Sequence, residues 1–297
     1  MAGNNMRRAF ISGASGYLGR HLLNTIPEGW QVLAQVGGNS LPDDLPGSIT
    51  SIAFDYGEPD WQAVLDFQPN LIIHSGALSS VSTCENDPHL ARLVNFSTTS
   101  TLAEISVRLG ARIIYLSTDQ VFDGGEGNYP ETHLPIPGHV YGKTKLGGEM
   151  AVLTAGTDGL VLRSSLMYGP AINGKDTFTS TMIKNLIAGK AVTLFEDEIR
   201  NPVWVRDAAE VVWELAQSTA KGVLNLGGPQ KLSRLEMGQI ICKYLDLDEK
   251  LIRPSTIAQS GITTFRPADC SMNLDKFHSI IGRMLHPISL ETLEEFR

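Results

Sequence analysis

The sequence is poor in cysteine, in long apolar stretches and in excess positive charge. Its three cysteines, Cys84, Cys242 and Cys270, stand far apart, with no CxxC pair and no metal-ligand spacing. This argues against a disulfide framework, predicts no metal site and indicates a reducing cytoplasm. No apolar run reaches the about 18 residues that a membrane span needs. The first residues run directly into a strand and a glycine loop, so we expect no signal peptide.

The charge balance points away from nucleic acids. The 297 residues include 24 Lys and Arg against 32 Asp and Glu, a formal net charge of −8. That balance disfavours a nucleic-acid surface and favours a soluble enzyme acting on a small molecule. A hydrophobic content of 42% with 19% charged residues is ordinary for a globular chain. The length fits one large domain or a domain with a satellite lobe.

Short apolar runs alternate with helical stretches through the first half of the chain. The runs are residues 7–13, 30–36, 48–54, 70–76 and 111–117. Buried strands separated by helices predict an α/β fold with a doubly wound parallel sheet, the Rossmann arrangement. Between the last two runs we expect a helix with Asp87 as N-cap, Pro88 in its first turn and Gly110 at its end.

The second half is less regular and predicts a smaller, mainly C-terminal lobe that binds the substrate. Two further runs, "DGLVLRSS" and "KGVLNLGG", are predicted as strands of the same sheet. We therefore expect a nucleotide-binding domain from residues 1–163 plus about 203–226. The substrate lobe is expected to comprise about 164–202 and 227–297.

Three glycines at a spacing of three follow the first predicted strand. Gly13, Gly16 and Gly19 allow a tight turn, the approach of backbone N–H groups to a pyrophosphate, and close packing of a helix on the sheet. This predicts a dinucleotide site. The spacing G-x-x-G-x-x-G resembles the extended branch of the short-chain dehydrogenase/reductase superfamily.

The end of the second predicted strand bears on cofactor choice. An acid that binds the ribose of NAD is expected about 20 residues after the glycine loop. Here the stretch reads "AQVGGNS", without Asp or Glu. No carboxylate would repel a 2′-phosphate there, so NADP is the expected cofactor and NAD the alternative.

Tyr141 and Lys145 stand four residues apart in "VYGKTKLGGE". On a helix this spacing puts both side chains on one face. A neighbouring ammonium favours the phenolate and lowers the pKa of a tyrosine toward the range useful for proton transfer. The pair therefore predicts a general acid in a site that uses a dinucleotide.

The segment 117–130, "STDQVFDGGEGNYP", ends a strand with a hydroxyl pair. Ligands of open α/β sheets lie outside the carboxyl ends of the strands, so a hydroxyl at this point can contact a substrate oxygen. Resemblance to the extended reductases identifies Thr118 as the hydroxyl member of a Ser/Thr-Tyr-Lys triad. In that scheme Tyr141 donates the proton, Lys145 holds the nicotinamide ribose, and Thr118 orients the substrate oxygen.

The block 117–149 closely resembles the central block of the dTDP-4-dehydrorhamnose reductases. The preceding stretch from 66 and the later "NPVWVRDAAEVV", "GVLNLGG" and "RPADCSMNLDKF" resemble further landmarks of that family. The resemblance implies NADPH-dependent reduction of a keto group on a nucleotide-linked deoxysugar in the cytoplasm. The oligomeric state is left open, with a homodimer as one alternative. The same pattern is similar to the regulatory beta subunits of methionine adenosyltransferase, which implies a cofactor-binding partner protein with little turnover as the alternative.

Gln120 separates this chain from a third class, the extended nucleotide-sugar dehydratases and epimerases. The dehydratases carry an Asp-Glu pair after the Thr. Here Asp119 is followed by the amide of Gln120, which cannot act as an acid or a base at neutral pH. Elimination of water is therefore disfavoured against reduction.

The resemblance also implies two sets of contact residues. The cofactor set, beside Tyr141 and Lys145, comprises Gly13, Ser15, Gly16, Tyr17, Leu18, Asp55, Tyr56, Ser75, Gly76 and Ala77. The substrate set comprises Ser79, Val81, Asp119, Gln120 and Arg266.

Overall fold

The computed structural model describes residues 7–42, 45–156, 158–170 and 176–296. The strands are β1 Arg7–Ser12, β2 Trp30–Val36, β3 Ile49–Ala53, β4 Leu71–His74, β5 Arg112–Thr118, β6 Gly159–Ser164, β7 Met167–Tyr168, β8 Val192–Phe195, β9 Ile199–Arg200, β10 Val203–Trp204, β11 Gly222–Leu226, β12 Leu232–Ser233 and β13 Ile252–Ser255. The α-helices are α1 Tyr17–Asn24, α2 Trp61–Phe67, α3 Val81–Asn86, α4 Pro88–Arg92, α5 Thr98–Leu109, α6 Val140–Thr154, α7 Phe178–Ile187, α8 Val205–Ala216, α9 Arg234–Leu245, α10 Asp275–Ile281 and α11 Leu290–Leu293.

Seven strands form one sheet in the order β11-β6-β5-β4-β1-β2-β3. The pairs from β3 to β5 are parallel, with Phe10 opposite Leu33 on one side and Ile72 on the other. All of the β4 and β5 residues are buried, because helices cover both faces of the sheet. The predicted doubly wound parallel sheet is confirmed. The two second-half runs form its strands β6 and β11, as expected.

The stretch predicted as one helix between β4 and β5 is built differently. Asp87 accepts a hydrogen bond from Leu90 N (2.9 Å) as the N-cap of α4, and Gly110 ends α5 in a left-handed conformation with φ 62°. Between these ends, residues Leu93–Ser97 form a π-helical turn. Both predicted caps are therefore correct, but the helix is interrupted by an extra residue in one turn.

The chain forms two compact units. The first comprises Met1–Ser117, Lys143–Leu162 and Ala209–Val223. Its core packs β1, β4 and β5 against α5 through Phe10, Ile72, Ile113 and Leu102. Trp213 stacks at a tilt on Trp30 (5.3 Å between ring centroids) and donates its indole N–H to a backbone carbonyl of α1. No helix among the described residues is long and apolar enough to cross a bilayer.

The second unit comprises Thr118–Gly142, Arg163–Ala208 and Leu224–Arg297. Its core is a separate cluster of apolar side chains from α7, β8, α9 and β13, including Met182, Leu194, Ile241 and Ile252. Helix α9 begins with a capping box in which Ser233 and Glu236 satisfy each other's backbone N–H groups. The domain boundaries expected from the sequence stay a prediction.

A buried carboxylate fixes the C-terminal segment within the second unit. Asp207 is fully buried and accepts hydrogen bonds from the backbone N–H (2.7 Å) and Nδ1 (2.8 Å) of His286. Asp207→Ala leaves both donors without their acceptor, so we expect the free energy of unfolding to fall by about 2–4 kcal/mol. Urea denaturation measures this change. Glu104→Gln at an exposed position is the control, and an equal loss in both variants would contradict the role of Asp207.

Candidate active site

Gly13, in the turn between β1 and α1, and Gly19, in α1, have no room for a Cβ. Gly13 adopts φ 69°, and a Cβ on it would lie 2.5 Å from the Cα of Gly76, which follows β4. A Cβ on Gly19 would lie 2.2 Å from the carbonyl oxygen of Gly13. Gly16 is the N-cap of α1 and supplies no side chain to cap it. A helix N-terminus of this kind offers backbone N–H groups to an anionic ligand, as a dinucleotide site requires.

Gln35, near the end of β2, holds this turn in place. Its Oε1 accepts from Gly13 N (2.8 Å) and from the Tyr56 hydroxyl (2.9 Å), while its Nε2 donates to Phe54 O (2.7 Å). Only 1% of the Gln35 surface is exposed. Burial raises the pKa of Tyr56 to about 12, so this hydroxyl stays protonated and donates. The stretch "AQVGGNS" was interpreted only through its lack of an acid, and the structural role of the Gln35 amide was not predicted.

The other predicted cofactor residues lie around the same turn or on its flanks. Ser75 donates its hydroxyl to Ser12 O (2.7 Å), which ties the end of β4 to β1. Asp55 is exposed and caps its own turn by accepting from Gly57 N (2.7 Å). Ala77 is exposed and Leu18 buried, while Ser15 and Tyr17 are half-buried. Their role toward a cofactor stays a prediction.

A buried histidine links the glycine turn to Lys145. His74 ends β4, with Nδ1 2.5 Å from Ser12 Oγ and Nε2 2.9 Å from Thr99 Oγ1. Its ring stacks on Tyr115 at 5.4 Å. Burial lowers the pKa of His74 to about 3, with a further contribution from Lys145. The imidazole is therefore neutral at physiological pH and serves as a packed hydrogen-bonding element.

Lys145 is almost fully enclosed within the first unit. Its side chain is 2% exposed, its ammonium donates to Leu116 O (2.5 Å), and it lies 4.1 Å from the centre of the Tyr115 ring. Burial lowers the pKa of Lys145 to about 7, and the Glu149 carboxylate opposes this shift. Glu149 itself accepts from the Ser117 hydroxyl at 2.6 Å. A lysine held in this way can lose or regain its charge near neutral pH.

The π-helical turn between α4 and α5 places Asn95 against the loop after β4. Its Oδ1 accepts from Leu78 N (2.9 Å), and its Nδ2 donates to Leu78 O and to Thr144 Oγ1 (3.1 Å each). π-Turns occur frequently at functional sites. Here the turn fixes the loop that carries Ser79, which is exposed, ahead of the half-buried Val81 at the start of α3.

In the second unit, Thr118 and Asp119 are joined to a buried arginine. The Thr118 hydroxyl donates to Asp119 Oδ1 (3.3 Å) and accepts from Gln120 N (3.2 Å). Asp119 also accepts from Ser165 Oγ (3.1 Å) and lies 3.5 Å from Arg200 Nε. Burial raises the pKa of the Asp119 carboxyl, whereas Arg200 and the Ser165 hydroxyl oppose that rise.

Arg266 belongs to the same charge cluster through Glu198. The Glu198 carboxylate pairs with Arg266 (2.6 Å), Arg234 (2.8 Å) and Arg200 (3.7 Å). Burial alone raises the pKa of Glu198, but the three arginines outweigh burial and hold the pKa below its usual value. The side chain of Arg266 remains 39% exposed. The sequence pattern indicated Arg266 but neither Glu198 nor Arg200, because their other partners, Asp119 and Arg234, lie far away in sequence.

Tyr141 lies in the first turn of α6 and is 8% exposed. Its ring stacks on His139 (6.1 Å, 23° between ring planes), and His139 Nε2 lies 3.1 Å from Gln120 Oε1. The second unit thus brings together Thr118, Asp119, Gln120, Tyr141 and Arg266. Lys145 belongs to the first unit, four residues after Tyr141 in the same helix. Among the described residues, no group of His, Cys, Asp and Glu is arranged to hold a metal ion.

Comparison with known proteins places these features in a family. The sequence model described as "RmlD substrate binding domain" matches residues 6–292. Methionine adenosyltransferase 2 subunit beta of Xenopus laevis is 31% identical over 277 residues, covering 89% of this chain and 81% of that protein. A probable dTDP-4,6-dihydroxy-2-methyloxan-3-one 4-ketoreductase of Streptomyces antibioticus is 30% identical over 274 residues, covering 91% and 88%. The crystal structure of dTDP-4-dehydrorhamnose reductase from Bacillus anthracis in complex with NADP has a TM-score of 0.82 at 25% identity, covering 98% of both chains.

The enclosure of Lys145 predicts a pH-dependent stability. Its pKa is about 7 in the folded protein against an ordinary 10.5, so between these values the unfolded chain binds more protons. The contribution of Lys145 to the free energy of unfolding therefore rises as the pH increases from 7 toward 10. We expect the free energy of unfolding of the wild type to rise relative to that of Lys145→Met over this range. Urea titrations from pH 7 to 9.5 measure the difference.

Lys190→Met, at an exposed position, is the matched control for the same change of side chain. Parallel stability curves for the wild type and Lys145→Met would contradict the proposed enclosure of a titrating ammonium.

Proposed function

The chain belongs to the RmlD substrate binding domain family, and on this premise we propose that it is an NADP-preferring reductase of a keto group on a nucleotide-linked deoxysugar. The observation that carries the proposal is a nearly buried tyrosine followed four residues later, in the same helix, by an enclosed lysine. Tyr141 and Lys145 are 8% and 2% exposed, and the Lys145 pKa is about 7. Such a pair suits proton transfer at neutral pH.

The turn at Gly13 and Gly76 fits a dinucleotide. A Cβ on Gly13 would meet the Gly76 backbone, and one on Gly76 would meet the Tyr56 hydroxyl, so both positions present backbone alone to a pyrophosphate. Bound NADPH would supply a hydride to the substrate carbonyl carbon. Backbone N–H groups at the start of α1 would hold the pyrophosphate, and Lys145 would hold the nicotinamide ribose.

The proton balance of the reduction rests on Tyr141. When the carbonyl is reduced, its oxygen would take the phenolic proton of Tyr141, and the resulting phenolate would be reprotonated from solvent. The positive charge of Lys145 favours that phenolate. Thr118 would orient the same oxygen by donating a hydrogen bond from its hydroxyl. In the structure this hydroxyl donates to Asp119.

NADP is favoured over NAD by the residues at the end of β2. Gln35 is committed to the glycine turn, and Gly37 and Gly38 follow it with nothing within 4 Å of an added Cβ. No carboxylate in this stretch would repel a 2′-phosphate. The Bacillus anthracis reductase in complex with NADP is consistent with this preference.

A second function, a regulatory subunit with little turnover, is favoured by one specific observation. The Xenopus laevis protein that is 31% identical to this chain is named as a subunit of methionine adenosyltransferase. A dehydratase is disfavoured because Gln120 replaces the second carboxyl group that elimination needs. Assembly as a homodimer and residence in the cytoplasm stay predictions.

Replacing Tyr141 separates the reductase from the regulatory subunit. Tyr141→Phe removes the proton donor but keeps the ring against His139, so we expect NADPH-dependent reduction of 4-keto nucleotide sugars to fall by about 10²-fold or more. Binding of NADPH should change by less than threefold. Absorbance at 340 nm and fluorescence titration measure the two quantities.

Tyr244→Phe, a half-buried tyrosine on α9, is the control and should retain full activity. If the wild-type protein oxidises no NADPH against any 4-keto nucleotide sugar and co-purifies with a methionine adenosyltransferase, the reductase proposal is wrong and the regulatory function stands.

A further inference from the structure

His139 is a buried side chain to which neither the sequence pattern nor the family resemblance gives a role. It directly precedes α6, and 2% of its surface is exposed. Its Nδ1 accepts a hydrogen bond from the backbone N–H of Gly142 at 2.9 Å. An imidazole nitrogen that accepts cannot carry a proton. A neutral His139 therefore carries its proton on Nε2.

The Nε2 proton decides how Gln120 is oriented. Nε2 lies 3.1 Å from the Gln120 side chain. Since Nε2 is the donor, the amide atom facing it must be the oxygen, Oε1. The amide NH₂ of Gln120 is then directed away from His139. Gln120 is half-buried, and its backbone N–H donates to the Thr118 hydroxyl at 3.2 Å, which places the residue directly beside Thr118.

Packing holds His139 in this position. A Cβ on Gly142 would lie 2.4 Å from Gln120 O and 3.2 Å from the His139 ring, so the backbones of the two segments approach as closely as glycine allows. The His139 ring stacks on Tyr141 on one side and lies 6.3 Å from the Phe265 ring. An imidazole flipped by 180° would lose the Gly142 hydrogen bond.

We propose that His139 is a positioning residue that fixes Gln120 as a hydrogen-bond donor, and that Gln120 selects substrates with an acceptor oxygen beside the reacting carbonyl. This inference rests on the proposed reductase function. A neutral NH₂ donor pairs with a hydroxyl, ether or carbonyl oxygen. A protonated amino group has no lone pair to accept, so amino sugars should bind worse than their hydroxyl counterparts.

The tautomer of His139 can be measured without any turnover. Two-bond ¹H–¹⁵N correlation spectra of protein labelled at histidine distinguish a proton on Nε2 from one on Nδ1. The His139 signals are identified by their loss in His139→Gln. We expect the neutral Nε2–H form at pH 7.5. A proton on Nδ1, or on both nitrogens, would overturn the positioning role.

The donor role of Gln120 is tested with Gln120→Glu, which keeps an acceptor oxygen for His139 but removes the NH₂ group. The probe is dTDP-4-dehydrorhamnose, the keto sugar that the names of related reductases specify. We expect its KM to rise at least tenfold, with kcat changed less than threefold and the KM for NADPH unchanged. Gln259→Glu is the control, because that exposed side chain also accepts through Oε1, from Thr256 N, and should leave all constants unchanged.

The substrate role of Gln120 and the reductase function are contradicted by different results. If the wild type reduces the keto sugar and Gln120→Glu does so with an unchanged KM, the selection by Gln120 is wrong and the reductase function stands. If the wild type neither binds nor reduces any 4-keto nucleotide sugar, the reductase function fails and takes the substrate role of Gln120 with it. In that case the spectra still decide whether His139 orients the amide.

Discussion

The contact between the backbones of Gly13 and Gly76 is the constraint on which the rest of the first unit depends. Neither residue has room for a Cβ, since one on Gly76 would lie 1.9 Å from the Tyr56 hydroxyl. The ends of β1 and β4 can therefore approach, and Gln35 locks the approach by binding Gly13 N and Tyr56 together. The result is a bare backbone surface at the start of α1, where negative charge is stabilised by the helix terminus.

The second unit buries charged side chains in ion pairs. Asp119 and Glu198 are each 3% exposed, and both are paired with Arg200. Leaving either carboxylate without its partner would cost several kcal/mol, about 3–5 for a broken buried pair. These ion pairs therefore connect the segment after β5 to the segment around β9. The neutral hydrogen bond between His139 and Gln120 connects the segment after β5 to the residues that precede Tyr141.

The strands of the first half and the ends of the helical stretch between β4 and β5 could be predicted from local sequence pattern. The five apolar runs gave the strands β1–β5, and the caps at Asp87 and Gly110 lie where short-range chemistry places them. The π-helical turn was missed because its stabilising contacts are made by Asn95 with residues 17 and 49 positions away. The roles of Gln35 and Arg200 were missed for the same reason. An amide 22 residues from its partner, and a guanidinium paired across 81 residues of chain, give no periodic signal in the sequence.

In the proposed reaction, a hydride passes from NADPH to the keto carbon of a nucleotide sugar. Transfer of deuterium from NADPH that carries deuterium at both nicotinamide C4 positions tests this reaction, with mass spectrometry and NMR of the sugar product as the measurement. One deuterium at the former keto carbon for each NADP formed is the predicted result. A protein that binds NADPH yet places no deuterium on any 4-keto nucleotide sugar would contradict the account.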